Sequence, residues 1–175
     1  MEKYFFIGAV LVAFLGAITD VRRARIPNWL TYTAVVVALI SRGMLLHWSG
    51  LKTGLFGILI AGGVFCVLFV VGAMGGGDMK LMAAVGAWVG SRHILTVMIA
   101  IALAGGVLAL VSMIFNKNSI QTVRNTVQLI GYRVSSGLQP HPEMNVQAPG
   151  SHRVPFGVAI ALGTLFCAAN AVWWR

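Results

Sequence analysis

Two aspartates carry the chemistry this sequence can offer. Asp78 closes a run of glycines, Gly75-Gly76-Gly77, at the end of a long hydrophobic stretch, and Lys80 follows two positions later. Asp20 ends an earlier apolar stretch, and the chain has no other aspartate. An aspartate in hydrocarbon costs roughly 2.5–3.5 kcal/mol on insertion scales, so an acid at the edge of a membrane segment is a functional candidate. Two carboxylates brought close cannot readily ionise together; they share a proton and present one base and one acid to a water molecule. The base takes a proton from water, while the acid polarises a peptide carbonyl and then helps protonate the leaving nitrogen. Such a pair titrates as a unit, so neither role is assigned to one residue. Glycines beside it allow positive φ and let a backbone or an extended substrate come close.

The elements that must bring the two acids together are membrane helices. The 175 residues are 58% hydrophobic and 10% charged, against about 25% charged in soluble domains. This composition predicts an all-α, polytopic integral membrane bundle in a single domain. Apolar segments at 4–20, 28–46, 51–74, 80–89, 94–115 and 154–174 predict about six transmembrane helices, the fourth being the shortest. Arg22, Arg23 and Arg25 follow the first segment, which marks a cytoplasmic turn and sets the amino terminus outside. Because these charges come after the apolar run, the segment reads as a retained helix and not as a cleaved signal. Segment three then returns Asp78 to the face that holds Asp20.

The same topology assigns Arg22, Arg23, Arg25, Lys80, Lys117, Arg124, Arg133 and Arg153 to the inside, and Lys3, Arg42, Lys52, Arg92 and Arg175 to the outside. The bias agrees with the positive-inside rule. A loop within 42–52, holding His47 and Trp48, joins segments two and three, and Pro27 suits the first turn of segment two. A polar cytoplasmic loop spans 116–152. Within it Ile120, Val123, Val127, Ile130 and Val134 share one helical face, fitting a helix in the membrane interface or one packed on the bundle. Trp173, Trp174 and Arg175 read as an interfacial anchor.

Several functions are excluded by what the side chains lack. The net charge of +9 reflects scarce acids, and the basic residues punctuate apolar runs, which argues against nucleic-acid binding. Cys66 and Cys167 lie inside apolar segments without metal or redox spacing. His47, His93, His141 and His152 are scattered, so no metal site and no cofactor is expected.

Asp20-Val21-Arg22 followed by Ile26-Pro27-Asn28, and then Gly75-Gly76-Gly77-Asp78-Met79-Lys80-Leu81, resembles the type IV prepilin peptidase family of intramembrane aspartyl proteases. Val154-Pro155-Phe156-Gly157 before an apolar helix resembles the last segment of that family. The resemblance implies that Asp20 and Asp78 are the catalytic pair, with Gly75 and Gly77 as the Gly-x-Gly-Asp glycines and Gly76 between them. Lys80 matches its basic residue. Arg22, Pro27 and Asn28 would then contact substrate or shape the turn. It further implies a multi-pass enzyme of the bacterial inner membrane that cleaves the leader of membrane-inserted prepilins or pseudopilins at the cytoplasmic face. Larger members carry a cysteine-paired cytoplasmic insertion and also methylate the new amino terminus. Here segments one and two are joined directly, so N-methyltransferase activity is not expected and the size fits the small branch serving tight-adherence (Flp-type) pili.

Blander accounts stand beside these. Asp20 can be a helix-end acid neutralised by Arg22 or Arg23, Asp78 an acid favoured by a helix N-terminus, and Lys80 an interface marker. As a whole, the chain can instead be a proton-coupled transporter or channel component with the aspartates as relay, or a structural subunit of a secretion machine. A transporter would show broken helices in both halves, and only the break at 75–78 is visible.

Overall fold

The computed structural model describes residues 2–71, 74–115 and 155–173. They form α1 (Glu2–Arg23), α2 (Asn28–Val70), α3 (Gly76–Val89), α4 (Ile94–Phe115) and α5 (Phe156–Trp173). No strand occurs among the described residues, as the all-α expectation requires. Lys3–Arg23, Asn28–Val70 and Ile94–Ser112 are long and apolar enough to cross a membrane. The interfacial helix expected within 116–152 and the anchor at Trp174 and Arg175 lie outside the described residues.

If straight, the 43 residues of α2 would extend about 65 Å, more than twice a hydrocarbon core of about 30 Å. The helix breaks instead at His47, whose φ of 53° and ψ of −147° are not helical. Contacts on either side of the break run in opposite senses along α3. In the first arm Asn28 meets Lys80 and Arg42 meets Trp88. In the second arm Gly57 meets Gly86, and Phe69 meets Gly76. A methyl at Gly54 would lie 3.0 Å from Arg42 Cδ and 3.1 Å from Leu39, so the arms also touch each other. α2 is therefore a helical hairpin whose arms correspond to the segments expected at 28–46 and 51–74, the second ending earlier, at Val70.

The expected loop at 42–52 needs correction, because everything in it except His47 stays helical. Arg42 is not a peripheral charge at all; it is 5% exposed. Its Nε and Nη2 donate to the Trp88 carbonyl at 3.2 and 2.7 Å, and Nη1 donates to Thr53 Oγ1 at 2.9 Å. The guanidinium also lies 4.5 Å from the centre of the Phe5 ring. The last carbonyls of a helix lack intrahelical donors and carry partial negative charge, and Arg42 answers both needs at the end of α3.

α3 lies at the centre, between the α2 hairpin and α1, while α5 packs on α1 and α4. Leu81, Met82 and Val85 of α3 join Ile94, Val97 and Ile101 of α4 and Ile160 of α5 in the core. Membrane helices gain little by hiding apolar groups from lipid, so they associate through close contact at small residues. At the crossing of α2 and α3, Gly57 and Gly86 touch backbone to backbone, and a methyl on either would overlap the carbonyl of the other. Large apolar side chains such as Leu11, Ile40, Leu59, Ile99 and Leu103 face outward.

The α2–α3 crossing predicts a sharp positional contrast. Gly57→Val should lower unfolding stability in mixed micelles by about 1–3 kcal/mol or more, through overpacking. Gly63→Val, where the space is open, should change it by less than about 0.5 kcal/mol.

Candidate active site

Asp20 stands in the last turn of α1, followed by Arg22 and Arg23. Both arginines are exposed, at a helix end that favours cations. The chain then turns through Ala24, which adopts a positive φ of 49° and donates its N–H to the Asp20 carbonyl at 2.8 Å. Pro27 is the N-cap of α2, one residue earlier than the first-turn position expected for it. Ile26 between them is buried against Gly77.

Asp78 belongs to the first turn of α3, with Gly75 as N-cap. Its own N–H donates to the Gly75 carbonyl at 3.1 Å. The glycines do not serve the purpose expected from positive φ. Gly75 is extended, with φ of −79° and ψ of 148°, and Gly76 and Gly77 are helical; among the described glycines only Gly90 has positive φ. Their use here is close approach. A methyl at Gly77 would lie 3.3 Å from Ile26 Cβ, and one at Gly76 would lie 3.3 Å from the Phe69 ring.

The register between α1 and α3 relates the two acids. Gly8 lies against Trp88 and Gly16 against Leu81, so the helices run antiparallel and advance in step. Asp20 is four residues beyond Gly16, about 6 Å along the axis, and Asp78 is three residues before Leu81, about 4.5 Å. Residues spaced by three or four share a helix face. Asp20 and Asp78 therefore stand at the same end of the α1–α3 pair, a few residues beyond the Gly16–Leu81 contact. Each is 4% exposed, in a chain where buried acids are costly.

A third helix reaches the same end. The N–H of Gly157, in the first turn of α5, donates to Asp20 Oδ2 at 3.0 Å in a buried setting. The sequence marked Val154-Pro155-Phe156-Gly157 without giving Gly157 a role. A signal was present, since Pro155 before an apolar run announces a helix start whose first N–H groups need acceptors.

Lys80 does not join the two carboxylates through any contact seen here. Its Nζ donates to Asn28 Oδ1 at 2.9 Å and lies 5.7 Å from the centre of the Tyr32 ring. It thus fastens the start of α3 to the start of α2. Among the described residues no three His, Cys, Asp or Glu side chains gather as a metal site.

Helices long and apolar enough to cross a membrane thus carry two buried aspartates at one end of the α1–α3 pair. The chain belongs to the type IV leader peptidase family, whose model matches residues 6–110 and so includes both aspartates. Comparisons with curated proteins and with solved structures give no match. Membership carries a leader peptidase function at the level of the family, which ranks that expectation above the transporter and structural-subunit alternatives.

The Asn28–Lys80 fastening predicts non-additive mutations. In a double-mutant cycle of Asn28→Ala and Lys80→Met, unfolding in micelles should return a coupling of about 0.5 kcal/mol, the scale of a partly exposed charged contact.

Proposed function

We propose that this chain is an aspartic endopeptidase of the bacterial inner membrane that removes the leader of prepilins or pilin-like proteins. In this reading Asp20 and Asp78 are its catalytic dyad. The observation that carries it is their burial at one end of the α1–α3 pair in a member of the leader peptidase family. The whole chain acts as one peptidase domain of six membrane segments, with its amino terminus outside and the dyad near the cytoplasmic face. Arg22, Arg23, Arg25 and Lys80 at that end of the bundle support this orientation.

The reaction needs one proton on the pair. One carboxylate removes a proton from water as the water oxygen attacks the scissile carbonyl carbon, and the protonated partner hydrogen-bonds the carbonyl oxygen. Collapse of the tetrahedral intermediate breaks the C–N bond, and a proton from the pair goes to the leaving nitrogen. The substrate arrives sideways as a membrane helix and unwinds at the leader junction, because a peptide bond inside a helix is poorly exposed to attack. Gly75, the N-cap of α3, puts no side chain in the way of an extended substrate at the start of that helix. Only residues Ala24–Pro27 join α1 to α2, which supports leader cleavage without N-methylation and a place in the small branch serving Flp-type pili.

Co-expression with candidate prepilins, read by mass spectrometry of the leader, tests this reading. Asp20→Asn and Asp78→Asn should each lower cleavage by about 10²- to 10⁴-fold or more while the protein still folds. Normal processing by either folded variant would sink the dyad. Cysteines introduced at Arg22 and Lys80 should be labelled from the cytoplasmic side alone; labelling from opposite faces would overturn the topology.

A further inference from the structure

Asp20 is held by a helix that the peptidase match does not reach. Residues 6–110 define the family match, whereas Gly157 lies in the first turn of α5, starting at Phe156. The first N–H groups of a helix have no intrahelical acceptor and are ordinarily met by a side chain at the N-cap. Pro155, just before α5, has no side-chain oxygen to offer. The acceptor is supplied across the bundle, by Oδ2 of Asp20, 3.0 Å from the Gly157 nitrogen. For Asp20 the contact matters equally. A carboxylate in the last turn of its own helix faces the negative end of that helix's dipole, and the positive end of α5 offsets this.

The fit also depends on Gly157 having no side chain. A methyl there would lie 3.0 Å from Asp20 Cβ, 3.1 Å from Oδ2 and 3.2 Å from Ala17 Cα. The Ala17 atom belongs to the backbone of α1 and cannot easily yield, so the Asp20 carboxylate would be the group displaced.

We infer that Gly157 is a positioning residue of the peptidase. Its amide fixes one oxygen of Asp20, Oδ2, and so directs the other, Oδ1, to the water and the scissile carbonyl. This inference rests on the aspartic peptidase reading above. It adds to that reading a requirement from the opposite end of the chain, namely that α5 must be docked for the dyad to be aimed. Catalytic geometry is sensitive at this scale, since a misplacement of about 1 Å can cost on the order of a hundredfold in rate.

Two measurements on the full chain in micelles test it. In the first, Gly157→Ala should lower kcat for prepilin cleavage by about 10- to 100-fold with KM within twofold and the cooperative melt retained. A purely structural cap would instead lose activity in proportion to the folded fraction, and that outcome, or an unchanged kcat, overturns the inference. The second needs no substrate: amide hydrogen exchange at Gly157, with Ile160 and Ala161 as internal references. The Gly157 amide should be protected in the wild type and in Asp20→Asn, which keeps an acceptor oxygen. It should exchange about tenfold faster or more in Asp20→Ala, while the references hold, as expected when one hydrogen bond is lost. Equal exchange in all three forms overturns the inference even if the chain is an active peptidase. A wild-type chain that cleaves no prepilin overturns the peptidase reading and the catalytic role of Gly157 with it. The exchange data then report separately whether the contact exists.

Discussion

The central helix α3 can exist where it does only because its neighbours come within backbone reach. Gly57 and Gly86 let the second arm of α2 touch it, and Gly8 and Gly16 let α1 rest on Trp88 and Leu81. In a bilayer such closeness replaces the hydrophobic drive that soluble helices use, because lipid tails already solvate apolar side chains. The spacing of these small residues also fixes register. Since α1 and α3 meet at two points about two turns apart, neither can slide without forcing a side chain into a backbone. The placement of the acids beyond Gly16 and before Leu81 follows from that constraint.

The two ends of the bundle are treated differently. At one end Asp20 accepts from the start of α5, and Asp78 lies in the first turn of α3. At the other, the guanidinium of Arg42 covers the finish of α3. Each charge stands against the partial charge of a helix terminus, which is how ionisable groups are tolerated away from water. The end with the arginine is bound by several hydrogen bonds to one carbonyl and one hydroxyl. At the aspartate end, contacts across helices include Gly157 on Asp20 and Lys80 on Asn28.

Hydropathy made the helices legible, and their contacts far less so. The segment at 94–115 coincides with α4, and the break between the segments at 28–46 and 51–74 corresponds to His47, because apolar runs and polar interruptions are local properties. The acids were legible because Asp20 and Asp78 are alone of their kind and end apolar runs. The burial of Arg42 against Trp88 was not legible, since nothing near it in sequence announces a partner 46 residues away. Of the two uses the glycines before Asp78 allow, positive φ and close approach, the structure shows close approach, and a list of residue types does not separate those uses. Gly157 was silent for the same reason as Arg42: its partner lies 137 positions back.

At 14 residues, α3 rises about 21 Å, roughly two-thirds of a hydrocarbon core about 30 Å thick. It cannot reach both surfaces of an undeformed bilayer. Were its arginine-bound end level with one surface, the other end would lie several ångströms inside the slab, and the bilayer would thin there or water would follow the helix down. Hydrophobic mismatch would then be a means of delivering solvent. The shortness of a single helix would bring water to a depth where a lipid-embedded chain would otherwise never meet it.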